Sequence, residues 1–186
     1  MWIRTAVQQA KIDLLVISAQ RGNQAAFSEL VNEFNQPLLR FGYRLCSDTE
    51  LVKDAVQETW LTSAKGLSKL NDPRAFRCWL YQTLRWRLTD LARKQSQFEL
   101  VELAEHKDVS EGGVPEQPAV TKPIELDNEV LKAIAQLGET EQQILHLFYL
   151  DEMKMVEIAA ILSIPVGTVK SRLNRAKKQL KTIMQA

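Results

Sequence analysis

Apolar residues recur at helical spacing through most of the chain, and stretches that alternate with a period of two are rare. Between Gln24 and Leu45 they fall at Phe27, Leu30, Val31, Phe34, Leu38 and Phe41. That stripe predicts one helix, kinked at Pro37. A shorter helix precedes it over Ile12–Gln20 and is closed by Arg21-Gly22. Ser47, with Glu50 three residues on, reads as a capping box opening a third helix that runs to Leu70. Asn71-Asp72-Pro73 ends it. Asp72 as N-cap and Pro73 at the first helical position then start a fourth helix over Arg74–Lys94, whose inward stripe holds Phe76, Trp79, Leu80, Thr83, Leu84 and Leu91.

Helical periodicity fades after about Leu103, and Gly112-Gly113, Pro115, Pro118 and Pro123 follow. Compact domains seldom hold loops beyond about 15 residues, so residues 96–127 are expected to be a flexible linker. Beyond it the pattern predicts Asn128–Leu137 closed by Gly138, a helix capped by Thr140 with Gln143 and ending near Leu150, then Lys154–Leu162, then Val166 to about Met184. The expected fold is all-α: two small helical domains, 12–95 and 128–186, joined by a flexible acidic linker, with residues 1–11 as an N-terminal extension. The C-terminal domain is expected to be a four-helix bundle with a helix-turn-helix.

Composition adds exclusions. With 45% hydrophobic and 25% charged residues the chain is ordinary for a soluble globular protein. Its largely apolar stretch Ile12–Ala19 is too short to span a bilayer, which takes about 20 residues. The start lacks the pattern of a signal peptide, so a cytoplasmic location is expected, with Cys46 and Cys78 reduced. His106 and His146 belong to no Cys/His cluster, so no metal site is expected. No nucleophile with a base and no phosphate loop stands out; the expectation is a protein that is not an enzyme, with no cofactor and no small-molecule substrate.

Charge changes the picture more. The formal net charge is +1, but it is unevenly placed. Arg74–Lys94 holds six basic residues and one acid, Gln97–Glu129 nine acids and two bases, and Pro165–Ala186 six basic residues and no acid. The last block sits in "VEIAAILSIPVGTVKSRL", a short helix with small residues, a three-residue turn (Ser163-Ile164-Pro165) and a second helix, which is the grammar of a helix-turn-helix. At 100° per residue Val166, Val169, Leu173, Ala176 and Leu180 face inward, while Ser171, Asn174 and Lys178 lie opposite, flanked by Lys170, Arg175 and Lys177. Basic edges around a hydroxyl and amide centre suit phosphates and base edges respectively. The turn carries Ser163 where glycine is common; a left-handed backbone there would strain it.

In the first block, "DAVQETW" (Asp54–Trp60) turns Val52, Ala55, Val56, Thr59, Trp60 and Ser63 to one face and Asp54, Gln57, Glu58 and Leu61 away from it. On residues alone the outer set is a solvated face. The helix after it interleaves Phe76, Trp79, Tyr81 and Trp86 with Arg77, Arg85 and Arg87, a mixture that suits single-stranded nucleic acid. Phe76 and Trp79 are expected in the core.

"AAFSELV", "DAVQETW", "FRCWLYQTLRWRLTDLARK" and "IAAILSIPVGTVKSRLNRAKKQL" together resemble bacterial RNA polymerase sigma factors of the extracytoplasmic-function group, from about Ile12 to Lys181. The resemblance implies a partner, core RNA polymerase, met through its β′ clamp and β flap. Asp54, Gln57 and Glu58 match the family's clamp-docking helix. It implies promoter DNA as the second partner, and an anti-sigma factor as a regulator. The loop Gly66–Arg74 and the following helix correspond to the part that melts the minus-ten element, here Lys69, Asn71, Arg74, Arg77, Arg85 and Trp86. The recognition helix corresponds to the part that reads the minus-thirty-five duplex, here Lys170, Ser171, Arg172, Asn174, Arg175 and Lys178. Trp86 replaces a small polar residue common in the family; it either stacks on a base or packs in the core, with the core favoured.

Overall fold

The computed structural model describes residues 2–105 and 128–185, and every regular element among them is helical. The chain divides into two compact units, Met1–Ala119 and Val120–Ala186. In the first, α1 (Trp2–Gln20), α2 (Gln24–Leu45), α3 (Thr49–Gly66) and α4 (Phe76–Glu105) are joined by short turns, with single 3-10 turns at Leu67–Lys69 and Pro73–Ala75.

Local chemistry sets most boundaries. Gly22 takes a φ of +88°, and the Asn23 side chain accepts from the Ala26 N–H at 3.2 Å to open α2. That helix continues through Pro37. α3 is capped one residue later than expected. Asp48, not Ser47, accepts from the N–H groups of Glu50 and Leu51, both at 3.0 Å. Its carboxylate satisfies two orphan donors and complements the helix dipole, which the neighbouring hydroxyl does less well. Glu50 is therefore not a capping-box partner; it pairs with Lys53 at 2.6 Å. α3 also stops at Gly66, short of Leu70. Asp72 accepts from the Arg74 N–H at 3.0 Å and opens the turn into α4, as its place before Pro73 implied.

Two helices run further than their apolar stripes suggested. α1 begins at Trp2, not Ile12, and α4 continues to Glu105, into the stretch expected to be linker. Neither added segment contains glycine or proline, and both are rich in good helix formers. The rest of the expected linker, 106–127, lies outside the described residues.

The core of this unit is built from Val16, Leu30, Phe34, Leu38, Phe41, Val52, Ala55, Val56, Phe76, Leu80, Tyr81 and Leu84, each at most 5% exposed. Phe34 meets Phe76 edge-on at 5.7 Å between centroids. A Cβ on Gly42 would stand 2.6 Å from Val52 Cγ1, so glycine is what lets α2 and α3 close. Thr59 and Ser63 are fully buried, and their hydroxyls donate to the carbonyls of Ala55 (2.7 Å) and Thr59 (2.8 Å). These polar groups are thus satisfied within α3, which keeps its packed face thin.

The second unit holds α5 (Asn128–Ala135), α6 (Glu139–Leu145, extended by one π turn over His146–Leu150), α7 (Met155–Leu162) and α8 (Val166–Ile183). Gly138, not Thr140, precedes α6 as its cap, and no side chain caps the helix. Gln142 rather than Gln143 closes this corner, donating to the Leu137 carbonyl at 2.9 Å. Ile144, Leu147, Ile158, Ile161, Val169, Leu173 and Ala176 form the core. Ser163 does adopt the left-handed conformation, at φ 56° and ψ 42°. Its N–H donates to Ala160 (3.3 Å) and that of Ile164 to Ala159 (3.0 Å), the paired bonds of a helix end that usually uses glycine. Val166 is 43% exposed, contrary to its expected inward place; the buried row of α8 starts one turn later, at Val169.

Candidate nucleic-acid and protein interfaces

On α8 the buried residues Val169, Leu173 and Ala176 fix which side faces out. Lys170, Ser171, Asn174 and Lys178 are exposed there, as the pattern required. The Ser171 hydroxyl donates to the Thr168 carbonyl at 3.1 Å, which orients it and leaves its lone pairs for a donor outside. Lys177 leans across the π turn, its Nζ 5.4 Å from the rings of both Phe148 and Tyr149.

Arg172 and Arg175 are arranged differently. Both approach Glu141 Oε1, Arg175 Nη2 as a hydrogen bond and Arg172 Nη1 at 3.6 Å. Glu141 is only 3% exposed. A carboxylate so far from water needs such partners. Nothing in the sequence singles this out, because Glu141 is one of two acids in the first turn of α6.

In the first unit the loop after α3 is held from α1. Gln20 Nε2 donates to the carbonyls of Leu67 (3.0 Å) and Leu70 (2.7 Å), tying the loop that carries Lys69 and Asn71. Both of those residues are exposed. Gln20 was not among the expected site residues, and a lone glutamine at a helix end offers no signal that would single it out. Arg74 is exposed but engaged: its guanidinium meets the Asp72 carboxylate at 3.0 to 3.2 Å. The Asp72 carboxyl is held below its usual range, chiefly by the hydrogen bond from the Arg74 side chain and then by that from its N–H. Arg77 and Arg85 are half-buried on α4. Asp90, the single acid of the basic stretch, pairs with Lys94 (2.9 Å) and Arg93 (3.1 Å), which lower its pKa.

Trp86 is 58% exposed, so it is not packed in the core. The reason is its place on α4. Phe76, Leu80, Leu84 and Leu88 are buried at steps of four, and a residue two positions from Leu84 and Leu88 lies about 200° round the helix from each. The Arg87 guanidinium stands 4.6 Å from the Trp86 ring centroid and also reaches Glu58 on α3, at 3.1 Å, and the Thr62 hydroxyl, at 2.7 Å. Trp79 is half-buried and packs over Gly66, where an added Cβ would stand 3.2 Å from its ring.

On α3, Asp54 and Gln57 are exposed, while Glu58 is partly covered by Arg87. Gln57 and the exposed Leu61 line an apolar groove of about 440 Å³ with Phe27, Val31 and Trp60. The Trp60 indole donates to Asn35 Oδ1 at 3.1 Å, which fixes the groove wall. Cys46 and Cys78 are half-buried thiols and are not joined in a disulfide. Among the described residues no group of His, Cys, Asp and Glu is placed to hold a metal ion, and no helix is long and apolar enough to cross a membrane.

These residues make a helix-turn-helix protein with a second helical unit that carries a basic, aromatic helix. Known proteins narrow that class. The family model Sigma-70 region 2 matches residues 30–98, and Sigma-70, region 4 matches residues 127–180. The chain belongs to the sigma-70 family, in the extracytoplasmic-function group of RNA polymerase sigma factors, and sigma factors are transcription initiation factors. It is 27% identical over 190 residues to the ECF RNA polymerase sigma factor SigW of Bacillus subtilis (strain 168), covering 97% of this chain and 96% of that one. It is 28% identical over 186 residues to the ECF RNA polymerase sigma-E factor of Escherichia coli (strain K12), covering 96% of each. The fold is that of the sigma factor RpoE solved with the anti-sigma factor NepR from Bartonella quintana, with a TM-score of 0.62 at 22% identity over 86% of this chain and 97% of that one. It is also that of CnrH solved with the cytosolic domain of CnrY, with a TM-score of 0.62 at 22% identity over 94% and 97% of the two chains.

Proposed function

We propose that the two units read promoter DNA in two states. The second unit, 128–186, docks α8 in the major groove of the minus-thirty-five duplex. Lys170 and Lys178 meet phosphates there, and Ser171 and Asn174 meet base edges. The first unit captures the minus-ten element as a melted strand along Lys69, Asn71, Arg77, Arg85 and Trp86. The observation that carries this reading is the exposed Trp86 ring, kept out of the core on an arginine-bearing helix that follows a tethered loop. An indole held in water has an open π face, and stacking one base on such a ring contributes about 1–3 kcal/mol. Extruding a base costs a few kcal/mol, so stacking together with phosphate contacts is of the right size to offset it.

Core RNA polymerase is the protein partner in this reading. Asp54, Gln57 and the rim of the apolar groove form the surface for the β′ clamp, with Glu58 contributing from its pair with Arg87, and the second unit meets the β flap. An anti-sigma factor is the expected regulator, as the solved structure of RpoE, which has the same fold, contains one. The reaction itself belongs to the polymerase. The test is multi-round transcription by core enzyme with this chain on sheared DNA of its own genome. Discrete start sites that vanish without the chain are expected. Initiation only at ends and nicks, equal with and without it, would overturn the proposal.

A further inference from the structure

We propose that Glu141 is a positioning residue for duplex recognition: it holds Arg172 and Arg175 against α6, withholding their charge from indiscriminate phosphate contact. This rests on the reading of α8 as the duplex-binding helix. The carboxylate is enclosed on two sides. Oε1 takes both guanidinium groups, Arg175 by a hydrogen bond and Arg172 at 3.6 Å. Oε2 lies over Gly138, where an added Cβ would stand 2.6 Å away. Gly138 has an ordinary φ of −62°, so a side chain added there would crowd the carboxylate above it without straining the backbone.

The arginine side chains remain 39% and 63% exposed, although Glu141 is 3% exposed. A guanidinium has five N–H donors in a rigid fork, so one edge can be spent on Glu141 while others face out. Two of the six cations of Pro165–Ala186 are thereby fixed in direction and share one opposing charge. An arginine so placed serves a base edge or phosphate only where the duplex presents it in register. A mobile arginine would serve any phosphate, and each additional phosphate neutralised steepens the salt dependence by roughly 0.9. Glu141 thus trades general affinity for discrimination.

The experiment uses holoenzyme assembled from core polymerase and the full chain. Binding is measured to a duplex carrying a promoter that the wild-type chain transcribes, and to the same duplex with its upstream element scrambled, across about 50–200 mM salt. Glu141→Gln is expected to raise scrambled-duplex binding about 3–10-fold, to cut the preference between the duplexes roughly 10-fold, and to steepen the salt slope by about 1 for each arginine released. Gly138→Ala displaces the carboxylate but keeps every charge, and is expected to act in the same direction at about 3-fold. It decides the matter alone if Glu141→Gln fails to fold. Unchanged preference and slope in both variants would overturn the inference. So would an equal loss on both duplexes with the slope unchanged, which is what a merely structural role gives. A wild-type chain that ignores the scrambling would instead overturn the duplex reading on which the inference rests.

Discussion

Both units carry arginines tied to a carboxylate, but the ties differ in kind. In the first, Arg74 is held by Asp72, two residues away, and their side chains are 76% and 46% exposed. In the second, Arg175 is held by Glu141, 34 residues away and 3% exposed. A local pair in water orders one turn and contributes little beyond it. A distant carboxylate away from water fixes one helix against another and directs charge. Arginine content alone therefore does not say which cations are available to DNA. On the proposed reading of promoter DNA, that task falls in the second unit first to the lysines of α8, and in the first to the exposed loop and an aromatic ring.

The largest effect that bears on this contrast comes from the packing beneath α8. Leu173 is 1% exposed, and Leu173→Ala is expected to destabilise the second unit by about 2–5 kcal/mol. All four tryptophans, at positions 2, 60, 79 and 86, lie in the first unit. Denaturation followed by circular dichroism should show the loss while the tryptophan fluorescence transition stays in place. A common shift in both signals would show that the units do not act separately.

Next is the tether of the first unit's loop. Gln20→Ala removes hydrogen bonds to two backbone carbonyls, at about 1 kcal/mol each. Amide exchange across residues 67–72 should quicken about 30-fold, the change that about 2 kcal/mol implies. Unaltered exchange would mean that the loop holds its shape without α1.

A smaller gain is expected at the turn of the second unit. Ser163→Gly relieves left-handed strain of about 1–2 kcal/mol, against about 0.5–1 kcal/mol of added chain entropy. Thermal unfolding should therefore show stabilisation of about 0.5 kcal/mol. A loss would mean that the hydroxyl contributes more than the backbone strain removes.

The smallest effect concerns Asp72. Its folded pKa is depressed, so its contribution is complete above the unfolded value, near 3.9, and is lost as pH falls through the lower folded value. Because the pair is exposed, the midpoint shift should be slight, and Asp72→Asn should remove that part of the pH dependence. Identical acid profiles for the two chains would remove any role for the pair in ordering the turn.

Much of the fold was legible because helices announce themselves by period and punctuation. The stripe from Phe27 to Phe41, the Asp72-Pro73 start and the Ser163 turn each rest on neighbours in sequence. Boundaries slipped where two adequate signals competed, as Ser47 and Asp48 did, or where helix continued past its apolar stripe, as in α1 and α4. Favouring the core over base stacking for Trp86 overlooks its offset from Leu84 and Leu88, which points outward. The outward lysines and Asn174 of α8 followed from the inward row. What stayed hidden were the partners made by folding: Glu141 for the arginines, Arg87 for Glu58, and Gln20 for the loop.

If the units read two forms of promoter DNA, as proposed, a template opened in advance should separate their contributions. Trp86 is exposed, so Trp86→Ala should change stability by no more than about 0.5 kcal/mol, yet lower initiation from a closed duplex about 10-fold through lost base stacking. With mismatched bases already opening the minus-ten segment, that variant should recover most of its activity. The double variant Asn174→Ala with Lys178→Ala should remain impaired on the same template, because its fault lies in the upstream duplex. Equal recovery of both variants, or of neither, would contradict the division of labour between the two units.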